Sequence, residues 1–175
     1  MSVSLRCYST SLGCPKNRVD TERLLGSLGV ALVPVESPDE AELVFINTCA
    51  FIQPATEESV RTIAQAIADI EELPKRPLLA VAGCLVGRYH AEDLAPELPE
   101  VDLWLDNSDL EAWPAMLARK LGLPEPTVPG RILSTGPSYA WLKISDGCRH
   151  ACSFCAIPNI RGGHRSHCKD MIVRE

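Results

Sequence analysis

No run of apolar residues in this 175-residue chain approaches the roughly 18 that a membrane-spanning helix needs. The opening residues also lack the basic start, apolar centre and small-residue cleavage site of a secretory signal. Positive charge is short as well. With 17 Lys and Arg against 23 Asp and Glu, the net charge of −6 leaves no broad cationic surface for a phosphate backbone. These absences argue against a membrane protein and against non-specific nucleic-acid binding, and the expectation is a soluble cytoplasmic protein. Internal repeats and low-complexity tracts are missing too, so neither a solenoid nor a disordered tail is expected.

What the chain does have is apolar content and cysteine. A hydrophobic fraction of 46% is enough for a real core in one ordinary domain, or in one domain plus a fragment. From Leu5 to Leu105, short apolar runs alternate with longer helical patterns, the sign of βαβ units building a parallel sheet. Strands are expected near Leu5–Ser11, Ala31–Val35, Glu42–Asn47, Leu78–Ala82 and Val101–Leu105. The clearest helix spans Pro54–Glu72, with Val60, Ile63, Ala64, Ile67 and Ile70 as its apolar stripe. Another is expected over Asp109–Leu121. The proline-rich stretch from Gly122 to Gly130 suits neither helix nor central strand. The expected division is therefore a first domain over 1–121, a linker over 122–138, and a second unit over 139–175. That unit would open with a strand at Tyr139–Ser145 and continue in a polar loop. It is too short for a core of its own, which suggests the first piece of a larger domain.

Eight cysteines in a compartment that keeps thiols reduced read as metal ligands or catalytic groups rather than disulfides. Their placement separates them into sets. Cys14, Cys49 and Cys84 each follow an expected strand and precede a helix, so all three fall at one edge of the sheet. Ligands bind beyond the carboxyl ends of strands in such sheets, and a flavodoxin-like order 2-1-3-4-5 makes strands 1, 3 and 4 neighbours. With strands about 4.8 Å apart, the thiols would lie within roughly 10 Å of one another, a span that an iron–sulfur cube bridges. Buried thiols packing as small hydrophobes, or a zinc site, are the plainer readings of the same residues.

The second set, Cys148, Cys152 and Cys155, is a C-x3-C-x2-C run on one loop. Iron–sulfur clusters are normally held by four cysteines, so three ligands leave one iron open to another molecule. Zinc is the alternative here too, with His150, His164, His167 and Cys168 near enough in sequence to complete a tetrahedron. Cys7 and Cys168 are expected to be non-ligating thiols.

The stretch from Leu142-Lys143-Ile144-Ser145-Asp146-Gly147-Cys148 through Cys155-Ala156-Ile157-Pro158-Asn159-Ile160-Arg161-Gly162 closely resembles the cluster loop of radical S-adenosylmethionine enzymes of the methylthiotransferase family. The motifs Leu12-Gly13-Cys14-Pro15-Lys16-Asn17, Asn47-Thr48-Cys49-Ala50-Phe51-Ile52 and Gly83-Cys84-Leu85 resemble that family's N-terminal domain. Within it they are similar to the type that modifies an aspartate of a small-subunit ribosomal protein. The transfer-RNA type typically reads Gly-Cys-Gln-Met-Asn at its first cysteine.

The resemblance implies two [4Fe–4S] clusters. One, auxiliary, would be held by Cys14, Cys49 and Cys84. The other would be held by Cys148, Cys152 and Cys155, with an open iron that chelates S-adenosyl-L-methionine for reductive cleavage to a 5′-deoxyadenosyl radical. It further implies methylthiolation of a β-carbon, a ribosomal-protein substrate and an electron donor; no residue is assigned a separate catalytic role. The fold expected is α/β, a flavodoxin-like parallel sheet followed by the first strand and cluster loop of an incomplete radical-SAM (β/α) barrel, with the isolated chain inactive. Two departures stand out: the family continues towards Arg-Ser-Arg-Pro where this chain has Arg165-Ser166-His167-Cys168, and the family's later barrel strands and C-terminal domain have no counterpart here. The competing readings are a transfer-RNA adenosine methylthiotransferase and a non-enzymatic iron–sulfur or zinc module.

Overall fold

The computed structural model describes residues 4–175. Its centre is a five-stranded, all-parallel sheet of β1 (Ser4–Ser11), β2 (Ala31–Pro34), β3 (Leu43–Thr48), β4 (Leu78–Gly83) and β5 (Leu103–Leu105), in the spatial order β2-β1-β3-β4-β5. This is the expected doubly wound arrangement. The central strands read as unbroken apolar runs because both faces are covered. Along β3, Leu43 and Phe45 point to one face and Val44 and Ile46 to the other, all four fully buried.

Helices α1 (Pro15–Ser27) and, late in the chain, α5 (Trp113–Leu121) cover the Phe45 face through Leu24, Leu25, Trp113 and Leu117. The Val44 face is covered by α2 (Gln53–Ile70) and the short α3 (Cys84–Tyr89), with α4 (Ala91–Leu94) following. Two expectations shift here. Helix α2 turns Val60 and Ala64 outward and buries Thr56, Ser59, Ile63, Ala66 and Ile70. The cause lies at Ser59, whose hydroxyl accepts from Cys49 N–H (3.0 Å) and donates to Cys49 C=O (2.7 Å), fixing the rotation of the helix. The helix expected over Asp109–Leu121 is broken into a 3₁₀ turn at Asn107–Asp109 and then α5, which starts with Trp113-Pro114 as proline in a first turn allows.

Residues 122–138 run back over α1. Glu22, buried on that helix, accepts from Arg131 Nε (3.0 Å), Arg131 Nη2 (2.7 Å), Ser134 N–H (2.8 Å) and Ser134 Oγ (2.6 Å). Burial pushes its carboxyl up, but Ser134 and Arg131 outweigh this and hold it below the usual value. A carboxyl lowered on folding stabilises the fold above its unfolded value, and the contribution is lost as acid protonates it. Urea unfolding of the native chain is therefore expected to weaken below about pH 4 more steeply than that of Glu22→Gln. Equal pH profiles would remove Glu22 from the acid response.

Gly26 of α1 lies against the Arg131 backbone, so closely that a Cβ there would fall inside van der Waals contact with Arg131 N and Cα. Alanine ordinarily gains about 1 kcal/mol over glycine in a helix, whereas overpacking against an unyielding backbone costs about 1–3 kcal/mol. Gly26→Ala is expected to destabilise by about 1 kcal/mol, the balance of these two effects, measured by urea unfolding; a stabilised variant would show that the 130–131 segment lifts freely.

The chain ends in β6 (Ser145–Asp146), α6 (Ile157–Arg161), β7 (Arg165–Ser166) and α7 (Lys169–Arg174), with β6 and β7 antiparallel. The expected strand over Tyr139–Ser145 is confined to its last residue. Apart from Ile144 C=O, which accepts from His167 N–H (2.9 Å), residues 139–144 pair with no strand among the described residues, and a strand without a ladder does not persist. Their exposure is also reversed: Leu142 and Ile144 face outward, whereas Lys143 is 4% exposed. Ile160 of α6 enters the Val44-side core against α3, where the Gly87 position approaches Ile160 C=O. No helix among the described residues is long and apolar enough to cross a membrane.

Candidate functional site

The three dispersed cysteines stand where three adjacent parallel strands end. Cys14 lies between β1 and α1, Cys49 directly follows β3, and Cys84 directly follows β4. The pairing of Ser11 with Asn47, and of Thr48 with Gly83, brings the turns into line. Gly13 has φ +81, and a Cβ there would lie 2.6 Å from Cys49 Cβ and Sγ, so the first turn closes directly on the second cysteine. Gly83, at φ +97, presses in the same way on Asn47 and Thr48. In both places only glycine allows the backbone conformation and the approach.

Cys14 is exposed, while Cys49 and Cys84 are buried. The Cys84 thiol donates towards Cys49, and this hydrogen bond outweighs burial and holds Cys49 below the usual thiol value. Cys84 is correspondingly raised, by its bond to Cys49 and by burial, against the pull of Arg161. Long contacts of 3.8 Å join Cys84 Sγ to Asn17 Oδ1 and Asn107 Nδ2 to Cys84 Sγ. Asn107 Oδ1 is buried with no partner among the described residues, so the polar capacity beside Cys84 is not used up within the chain.

Cys148, Cys152 and Cys155 lie on one loop, half-buried, exposed and half-buried respectively. Cys148 N–H donates to Gly162 C=O (3.2 Å) and Cys155 N–H to Cys152 C=O (3.1 Å), which folds the loop back on itself. Among the described residues no three Cys, His, Asp or Glu side chains are grouped so as to hold a single metal ion. Two sets of three cysteine sulfurs, one spread over neighbouring turns and one on a single loop, are soft donors of the kind that hold iron–sulfur clusters. Cys7, in β1, is 4% exposed and burial pushes its thiol up to about 12, so it is not a thiolate at neutral pH. Cys168 is exposed.

Sequence reasoning missed a buried ionic cluster joining these sites. Asp20 of α1, Lys143, Asp146 and Arg161 are each no more than 5% exposed. Lys143 Nζ pairs with Asp20 and, at 3.0 Å, with Asp146 Oδ2. Arg161 Nη1 lies 3.2 Å from Asp20 Oδ2 and 2.9 Å from Asp146 Oδ2, and Nη2 donates to Asn17 Oδ1 at 2.6 Å. Among the buried groups two cations and two anions balance, the arrangement that makes buried charge tolerable, while the more exposed Lys16 reaches Asp146 Oδ1 at 3.6 Å from outside. The sequence pointed the other way: Lys143 sits between Leu142 and Ile144, where an alternating strand pattern places a solvent-facing residue.

A family model described as Uncharacterized protein family UPF0004 matches residues 6–106. Among curated proteins, the ribosomal protein uS12 methylthiotransferase RimO of Nitratidesulfovibrio vulgaris (strain DP4) is 71% identical over 168 residues, 96% of this chain and 39% of that protein. The RimO proteins of Lawsonia intracellularis and Aquifex aeolicus are 57% and 48% identical, over 99% and 94% of this chain and 40% and 36% of their own lengths. The chain thus spans about two fifths of the length of the curated relatives it matches. It belongs to the family described as Uncharacterized protein family UPF0004, and within that family its similarity is to methylthiotransferases of the RimO type.

Proposed function

We propose that this chain carries the two cluster sites of a cytoplasmic radical S-adenosylmethionine methylthiotransferase that modifies an aspartate β-carbon of ribosomal protein uS12. The supporting observation is the 71% identity to a uS12 methylthiotransferase over 96% of the chain. In this reading residues 1–121 form the auxiliary-cluster domain, 122–138 link it onward, and 139–175 begin the radical-SAM domain. Cys14, Cys49 and Cys84 hold one [4Fe–4S] cluster; Cys148, Cys152 and Cys155 hold the other, whose uncoordinated iron binds S-adenosyl-L-methionine. When bound, the clusters supply one-electron chemistry and a site for sulfur, which no side chain here provides.

The residues of the chain have narrower tasks. The hydrogen bond from Cys84 shifts Cys49 towards the thiolate, the ligating form. The glycine-limited turns at Gly13 and Gly83 hold two cysteines in place. Ile160 and the buried ion pairs seat the compact loop on the domain that bears the dispersed cysteines. The test is anaerobic reconstitution of the reduced chain with iron and sulfide. About two [4Fe–4S] clusters, with a broad visible absorption that dithionite bleaches, are expected. Zinc uptake without sulfide would overturn the reading. Transfer itself is to be read as a methylthio mass gain on a uS12 peptide, using this chain joined to the further length its relatives possess.

A further inference from the structure

We propose that Asn17 and Arg161 form a positioning relay between the two cysteine sets, so that the dispersed turns are held in place only when the compact loop is docked. The proposal rests on the cluster assignment above for its redox readout alone.

Asn17 is fully buried and spends every polar atom of its side chain on the cysteine turns. Its Nδ2 donates to Leu12 C=O, two residues before Cys14, and to Thr48 C=O, one before Cys49, both at 2.8 Å. Its Oδ1 lies 3.8 Å from Cys84 Sγ, and its backbone C=O accepts from Asn47 Nδ2 (2.9 Å). One amide therefore touches all three strand ends that bear the triad.

The remaining contact to Oδ1 comes from the other set: Arg161 Nη2 at 2.6 Å. Arg161 closes α6, the helix that follows Cys155, and it is 5% exposed. Asp20 and Asp146 grip the same guanidinium, so it cannot swing away. Its planar fork bonds a carboxylate and an amide at once, which a lysine ammonium does not do with the same fixed geometry. The charge also reaches the triad through one atom, since Asn17 Oδ1 lies 2.6 Å from Arg161 Nη2 and 3.8 Å from Cys84 Sγ, and there it would favour the more reduced, more negative state of a bound cluster.

Arg161→Gln and Arg161→Lys, made in the full chain, separate the possibilities. In the metal-free, reduced protein, hydrogen exchange followed by mass spectrometry is read over 11–18, 47–53 and 82–89. Arg161→Gln should speed exchange in these turns about tenfold, the factor for one lost charge-assisted hydrogen bond, while Arg174→Gln leaves them unchanged. If Arg161→Gln loosens the whole sheet, Arg161→Lys carries the test: faster turns over an unchanged β3 and β4 support the relay. Turns that exchange at the native rate overturn it, as does loosening confined to residues 142–165.

A second reading uses the Cys148→Ala, Cys152→Ala, Cys155→Ala background reconstituted with iron and sulfide. Arg161→Gln should move the midpoint potential of the remaining cluster to more negative values, with Arg161→Lys close to the parent. An unchanged potential in Arg161→Gln rejects the electrostatic part. A parent chain that takes up no cluster refutes the proposed function, and the exchange experiment still decides the relay.

Discussion

Changing Cys14, Cys49 and Cys84 together to alanine is expected to leave about half the iron and sulfide of the reconstituted native chain, and so is changing Cys148, Cys152 and Cys155 together. The two sets arise from different structural devices. One requires three turns at the ends of β1, β3 and β4, while the other is a single loop closed by Cys148 N–H on Gly162 C=O and Cys155 N–H on Cys152 C=O. Removing thiols from one set leaves the backbone of the other intact. Alanine also costs little in packing at these positions, since a thiol behaves there as a small hydrophobe. Cys7→Ala and Cys168→Ala are the controls and should keep the full complement, Cys7 because burial keeps it protonated. Loss of all iron from either triple variant would show one shared site. Undiminished iron in either would show that its three cysteines are not ligands.

Asp20→Ala is expected to cost about 3–5 kcal/mol in urea unfolding of the metal-free chain, the usual penalty for breaking a buried ion pair from one side. The loss leaves the buried Lys143 and Arg161, and the more exposed Lys16, sharing Asp146 alone, with at least one buried positive charge uncompensated. Adding Lys143→Met should recover much of the deficit, because Arg161 and Asp146 then balance and the methionine fills the apolar space the lysine stem occupied. The double-mutant cycle isolates this coupling from the general cost of each change. A penalty below about 1 kcal/mol would mean that water reaches the cluster, and that the compact loop is not seated on α1.

The sheet was legible because parallel strands buried on both faces must be apolar throughout, and the runs at Leu43–Thr48 and Leu78–Gly83 are. The cysteines were legible for a related reason: in a βαβ chain, the residue after each strand is bound to lie on one edge. Helix α2 was read correctly as an element and in the inward placing of Ile63, Ile67 and Ile70, and wrongly at Val60 and Ala64. Apolar counting favoured Val60 and Ala64, whereas the paired hydrogen bonds of Ser59 to Cys49 turned a polar side inward. Periodicity cannot register a serine whose partner belongs to another turn.

The strand expected at Tyr139–Ser145 failed for the same kind of reason. Its alternation was real but inverted, because Lys143 is drawn inside by Asp20 and Asp146. By itself, the sequence determined the α/β architecture, the strand order and the grouping of six cysteines into two sets, all of which follow from local pattern and the rules of parallel sheets. Only the tertiary structure decided that Asn17 joins the three strand ends and that Asp20 and Arg161 meet. Such pairings depend on which distant side chains the packed backbone delivers to one buried point, where an unpaired charge could not remain.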